Sequence, residues 1–229
     1  MSKVSIAVLA SGRGTNFEAL VHAARRADTN GEVRLLVANV PEAQVLKKAE
    51  VEHVPAALIP HRQFKTRAEF EQALIAELKH HDVGLVCLAG FMRILSPVFV
   101  KAFENRIMNI HPSLLPAFAG LQGMQVHEAA IAAGVRIAGC TVHFVNTDVD
   151  AGPIIVQRAI AVHDTDTPES LALRVLVEEH QAYAEAVRLF CAGRLKVEGR
   201  RVRVLANDER STVGQGPLRP TMDEGTTRV

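Results

Sequence analysis

Short, almost continuously apolar runs alternate along the chain with stretches in which apolar residues recur every three or four positions. Residues 4–10, 33–38, 83–89 and 106–110 are the runs, each of strand length, and several end in Gly or a polar turn. Strands covered on both faces of a parallel sheet have this character. Between the runs come helical patterns. Phe17, Leu20, Val21 and Ala24 follow Asn16 at helical spacing. Thr66 with Glu69 predicts a capping box, followed by an apolar stripe of Phe70, Leu74 and Leu78. Thr167-Pro168 predicts an N-cap with proline at the first helical position. The helix after it carries Leu171, Val175, Leu176, Tyr183, Val187 and Phe190, and Gly193 is its expected stop.

This order predicts an α/β fold: an open, mostly parallel, Rossmann-like sheet with helices on both faces. After residue 137 the pattern changes to two longer strands, 137–145 and 153–162, expected as an antiparallel extension. Residues 200–205 predict one more short strand. Residues 206–229 are rich in Gly, Pro, Thr and charge and read as a mobile tail. The expected organisation is one catalytic domain over 1–197 and an extension over 198–229, without internal repeats.

Composition narrows the function classes. In 229 residues, 48% are hydrophobic, enough for a large core, and the net charge is +1. No global field favours nucleic acid or a membrane surface. One Tyr and no Trp leave no aromatic platform for stacking single strands. Cys87, Cys140 and Cys191 stand far apart, without the spacing of a zinc site, so no metal is expected. The first apolar run is too short for a membrane span and follows no signal pattern. A cytoplasmic monomer or homodimer with no nucleic-acid or membrane partner is the expectation.

Ligands of open α/β sheets gather at the carboxyl ends of strands. Four loops are expected there: 11–16, 39–42, 90–95 and 109–116. The last carries the strongest chemistry. Asn109 and His111 are two apart on a strand and share a face, and Pro112 stops the strand beside them. An amide donor next to an imidazole suits acyl chemistry, in which one group stabilises an oxyanion and the other handles protons. The loop Ser11-Gly12-Arg13-Gly14-Thr15-Asn16 opens a helix, where free N–H groups and the helix dipole can seat one phosphate. An ordinary strand-to-helix turn fits the same residues. Loop 90–95 can line a flat-ring pocket or simply pack under a helix, with Arg93 unexplained in the second case. His143 shares a strand face with Thr141 and Val145. Asp150 lies in the turn that follows, where an Asp commonly bonds its own backbone; near His111 it would instead raise the imidazole pKa and hold the ring. Spacing alone makes Glu178-Glu179-His180 a solvated helix face.

Taken in order, S-G-R-G-T-N, L-A-G-F-M-R-I-L-S, N-I-H-P-S-L-L-P, G-C-T-V-H-F-V, D-V-D-A-G-P and E-E-H resemble the folate-dependent phosphoribosylglycinamide formyltransferase family. The resemblance runs from about residue 4 to 195. It implies transfer of a formyl group from 10-formyltetrahydrofolate to the amine of glycinamide ribonucleotide, in purine biosynthesis. It also implies Asn109, His111 and Asp150 as the catalytic trio, with His143 supporting them. Gly14, Thr15 and Asn16 would seat the substrate phosphate and Glu179 the ribose hydroxyls. Met92, Arg93, Ile94 and Leu95, with Asn146, Thr147, Asp148 and Val149, would wall the pterin pocket, and Arg67 would stand near the folate tail. One departure is the loop between Gly120 and His127, about three residues longer than in many members, at the border of both substrate sites.

The implied chemistry has Asn109 and a protonated His111 stabilise the oxyanion, while Asp150 favours the imidazolium and relays the amine proton. No metal is required of it. The nearest rival is hydrolysis of the same folate to formate. Such deformylases usually add an N-terminal regulatory domain, whereas the first strand here begins near residue 4. Formylation of initiator methionyl-tRNA would call for a C-terminal β-barrel, which the short tail does not supply. A nucleotide-binding regulatory module would explain the phosphate loop but not the Asn/His/Asp set. The Leu115–Pro116 bond is open to either isomer.

Overall fold

A computed structural model describes residues 2–206. The chain runs β1 (Val4–Ala10), α1 (Thr15–Ala24), β2 (Gly31–Ala38), α2 (Val45–Val51), β3 (Ala56–Leu58), α3 (Arg67–His80), β4 (Leu85–Leu88), α4 (Pro97–Ala102), β5 (Ile107–His111), α5 (Met124–Ala132), β6 (Ile137–Phe144), β7 (Ile154–Ala161), α6 (Pro168–Cys191), β8 (Leu195–Glu198) and β9 (Arg201–Val204). All strands join one sheet in the order β3-β2-β1-β4-β5-β6-β7-β9-β8. The five strands from β3 to β5 are parallel, and β6 and β7 run antiparallel to their predecessors. The expected open, mostly parallel sheet with an antiparallel extension is therefore the fold observed. The expected mobile tail lies outside the described residues, apart from Ala206. The 197/198 boundary falls inside the β8–β9 hairpin, which carries the sheet past β7.

Alternation along β1 builds the two layers. Ile6, Val8 and Ala10 face a core completed by α1 and α6, with Phe17, Leu20, Val175 and Tyr183. Ala7 and Leu9 face the opposite core, with Phe70, Leu74 and Leu78 of α3 and Phe99 of α4. The predicted helix ends hold. Thr66 and Glu69 form a reciprocal capping box. Thr167 caps α6 with Pro168 at its first turn, and Gly193 ends it in the left-handed conformation at φ 67°. α2, α4 and α5 were not legible, because seven, six and nine residues give too few turns for an apolar period to show. The three-residue β3 is too short to show a period for the same reason.

Three ties position the functional end of the sheet. The buried Tyr183 hydroxyl of α6 reaches the carbonyls of Leu88 (3.1 Å) and Met108 (3.0 Å), joining the helix to the ends of β4 and β5. Thr141 Oγ1 donates to the Ser113 carbonyl at 2.7 Å and accepts from Leu115 N–H at 3.0 Å, which fixes the loop after β5. Gln157 adds bonds to the Leu115 carbonyl and to Thr141 Oγ1, both at 3.0 Å. The Leu115–Pro116 peptide in this loop is cis.

Candidate active site

One cavity of about 630 Å³ opens at the carboxyl ends of β1, β4 and β5. Three of the four expected loops line it: 12–16, 90–95 and 109–112, joined by 145–150 from the β6–β7 connection. The fourth, 39–42, does not. Asn39 is buried behind the first loop and receives the Ser11 hydroxyl instead.

Strand pairing assembles the polar centre. In the antiparallel β5–β6 register Asn109 lies opposite His143, and His111 opposite Thr141. His143 Nδ1 lies 2.9 Å from the Phe144 carbonyl. That contact needs the ring proton on Nδ1 and leaves Nε2 as an acceptor. Asn109 Nδ2, 3.2 Å from Nε2, must then be the donor. One N–H of the amide is used, and the second is free for a ligand oxygen.

Asp150 completes the group. Its Oδ2 lies 3.4 Å from His111 Nδ1 and accepts from Gly120 N–H at 2.9 Å, while Oδ1 lies 3.8 Å from His143 Nε2. The carboxylate reaches this place because the turn is unusually tight. Asp150 is in the left-handed region at φ 51°, which Asp tolerates better than most residues. A side chain on Gly152 would run into the Phe144 carbonyl. Thus Asp150 does not spend its side chain on its own backbone; Asn146 does that, accepting from Asp148 N–H at 3.1 Å.

The electrostatics differ from the sequence-based expectation. Burial pushes the His111 imidazole below its ordinary pKa, and the opposing pull of Asp150 and of the Phe118 carbonyl does not overcome it. Desolvation disfavours the imidazolium more than one partly solvated carboxylate favours it. His143 is pushed down by burial against the Phe144 carbonyl and Asp150, and His127 by burial and by His111. His111 Nε2 is buried with no hydrogen-bond partner among the described residues.

The phosphate-type loop closes on one side. Gly14, at φ 75°, caps α1, and its missing side chain leaves room for Val45 of α2. Arg13 also lines the cavity; its charge, the one cation within S-G-R-G-T-N, is the sequence signal for it. Asn16 turns its side chain to Glu179, donating to Oε2 at 2.8 Å. Glu179 corrects the reading from spacing: it is 9% exposed, not solvated. Burial raises its pKa, against the lowering effects of the Asn16 bond and the nearby Arg13.

The other side is apolar. Met92 is 51% exposed, Ile94 57% and Val149 49%, all on the cavity wall, with Phe91 and Leu95 buried behind. Asn146, Thr147 and Asp148 form its polar edge, and Arg93 lines it too. Arg67 does not reach the cavity. Its Nε donates to Glu71 at 2.9 Å, and Glu71 also accepts from Ser96 N–H at 2.8 Å, so Arg67 braces the end of the wall loop. Sequence reasoning missed His127 of α5 and Leu173 and Leu176 of α6, which line the cavity. The stretch expected as a loop between Gly120 and His127 is loop only as far as Gly123, after which α5 begins, and residues 121–124 also form part of the lining. Among the described residues no cluster of His, Cys, Asp and Glu is placed to hold a metal, and no helix is long and apolar enough to cross a membrane.

Comparisons with known proteins identify the family. The formyl transferase family model matches residues 4–187. Phosphoribosylglycinamide formyltransferase of Bacillus subtilis is 41% identical over 80% of this chain and 92% of its own length. The trifunctional purine biosynthetic protein adenosine-3 of Gallus gallus is 46% identical over 86% of this chain, which spans only 19% of that relative. The crystal structure of glycinamide ribonucleotide transformylase 1 from Symbiobacterium toebii superposes with a TM-score of 0.86, at 46% identity, over 89% of this chain and 95% of that one. A match over most of the chain, in both sequence and fold, establishes that this chain belongs to the formyl transferase family.

Proposed function

We propose that the chain transfers the formyl group of 10-formyltetrahydrofolate to the amine of glycinamide ribonucleotide. The products are formylglycinamide ribonucleotide and tetrahydrofolate, a step of de novo purine biosynthesis. The observation that carries this reading is that Asn109, His111 and Asp150, with His111 beside Asp150, line one cavity that has two unlike halves. One half offers backbone N–H groups, Arg13 and a buried acid, suited to a phosphorylated ribose. The other offers an exposed apolar wall with a polar edge, suited to a flat heterocycle.

In this reading Gly14, Thr15 and Asn16 seat the phosphate through the start of α1, and Glu179, held by Asn16, takes the ribose hydroxyls. Met92, Arg93, Ile94 and Leu95, with Asn146, Thr147, Asp148 and Val149, hold the folate as second substrate. Arg67 supports that wall through Glu71. Both substrates are small molecules, and the reaction runs in the cytoplasm on a monomer or homodimer. Residues 1–197 form the catalytic domain and 198–229 an extension.

The neutral amine adds to the formyl carbon, and the formyl oxygen becomes an oxyanion. The free N–H of Asn109 donates to that oxygen, its direction fixed by the bond to His143. His111 enters the step less readily protonated than an exposed imidazole. Negative charge developing beside it raises its proton affinity, so it takes up a proton from solvent as the oxyanion forms and gives that proton back to solvent when the oxyanion collapses. Asp150 accepts the proton released by the amine, through water, and returns it to the departing folate nitrogen. The new C–N bond forms to the substrate amine and the old one breaks at the folate. Holding both substrates face to face supplies much of the remaining acceleration.

Tracing a labelled formyl carbon tests this directly. The label should move to the nucleotide amine. Label recovered as formate, with the nucleotide unchanged, would support the hydrolase.

A further inference from the structure

Asn39 is 2% exposed, polar, and outside the cavity, although it stands at the carboxyl end of β2. Its amide has a defined task. Ser11 Oγ donates its one proton to Asn39 Oδ1 at 2.7 Å, and this turns the hydroxyl lone pairs toward Met92, whose N–H donates to Oγ at 2.9 Å. Ser11 N–H in turn donates to the Gly90 carbonyl at 3.1 Å. Two bonds therefore close a ring between Ser11 and residues 90–92. Asn39 is itself held by His61, whose Nδ1 lies 3.3 Å from Nδ2.

Ser11 does not line the cavity, yet both loops attached to it do. Gly12 to Asn16 follow it directly, and Val45 N–H of α2 donates to the Gly12 carbonyl at 3.1 Å, so this loop has little slack. Residues 90–92 open the exposed apolar wall. No other side chain joins the first loop to the wall loop among the bonds described for residues 90–95.

We propose that Ser11 is a positioning residue that couples the two halves of the site. Nucleotide seated on residues 12–16 quiets that loop, the Ser11 hydroxyl passes the order to Met92, and the folate wall is preformed when the second substrate arrives. The coupling is reciprocal, because a linkage between two sites acts equally in both directions. This rests on the function proposed above, and its test keeps the two separable.

The Met92 amide is the reporter. Its hydrogen exchange is followed by NMR in the full chain, alone and with saturating glycinamide ribonucleotide, for wild type, Ser11→Ala and Ser11→Thr. In wild type the nucleotide should slow Met92 exchange by about fivefold or more, the scale of an ordinary coupling between sites. In unliganded Ser11→Ala the amide should exchange roughly 3- to 10-fold faster, as expected for one lost hydrogen bond, and bound nucleotide should no longer slow it. Ser11→Thr, which keeps the hydroxyl, should restore both. The affinity of tetrahydrofolate should follow: tightened by nucleotide in wild type and in Ser11→Thr, indifferent to it in Ser11→Ala. Wild-type exchange that ignores bound nucleotide, or a Ser11→Ala protein that keeps the response, overturns the proposal. Nucleotide that does not bind wild type contradicts the proposed function instead, and Met92 exchange in unliganded Ser11→Ala still decides whether the hydroxyl holds the wall.

Discussion

Asn109 has one amide N–H spent on His143 and one left over, and this division fits it to the proposed role of oxyanion donor. Asn109→Ala should lower kcat by roughly 10²–10³, the usual effect of removing one such donor. KM for the nucleotide should change little, because the phosphate loop is separate. A variant that changes KM alone would show that Asn109 only binds. His111→Ala and Asp150→Asn should each cost about 10²-fold or more in turnover, with the fold intact by circular dichroism. Near-normal turnover in either purified variant would remove it from the chemistry. The Asn/His pair was legible as a strand-end motif because side chains two apart share a face. Its third member was not: whether Asp150 meets His111 depends on a left-handed turn that brackets Gly152, which spacing cannot show. Nor was the direction of the His111 pKa, since the depth of burial comes from the assembled sheet.

The elements that place the site are short turns joined to long, well-signalled strands and helices. Gly14 is the clearest case. Its φ of 75° and its contact with Val45 leave no room for a side chain. Gly14→Ala should cost about 1–2 kcal/mol for the left-handed backbone alone, and should weaken nucleotide binding by moving the start of α1. Equilibrium denaturation and nucleotide titration measure the two effects, and a variant of wild-type stability would show that the loop tolerates another conformation. At this scale the sequence was most readable where elements are long. β1, α3 and α6 announced themselves by period and caps, whereas the short α2, α4 and α5 did not. Glu179 shows the limit of reading a helix alone. The Glu178-Glu179-His180 run looks solvated on α6, whereas Glu179 is buried with Asn16 of α1 against it.

Across the molecule, polar groups are buried in number at the end of an otherwise apolar sheet, and this has a consequence for stability. His111, His127, His143 and His180 all have pKa values pushed below the ordinary 6.5 by burial. Each binds its proton more weakly in the folded chain than in the unfolded one. The unfolded state therefore takes up more protons as pH falls below about 6.5, and folding stability decreases with acidification through that range. Their contribution is fully present above pH 6.5 and is lost as pH falls through the depressed values. Melting temperature followed from pH 8 down to pH 5 should fall, most steeply below 6.5; a flat or rising profile would contradict the burial of these rings. In the proposed reaction the same burial would strengthen each donor that faces the oxyanion.

Amine dependence is the property that separates transfer from every alternative chemistry at this centre. The decisive measurement is the rate of tetrahydrofolate release from 10-formyltetrahydrofolate, with and without glycinamide ribonucleotide. The account predicts turnover only when the nucleotide is present, with one formylated amine for each tetrahydrofolate released. Tetrahydrofolate released at the same rate without nucleotide, with formate as the other product, would contradict it.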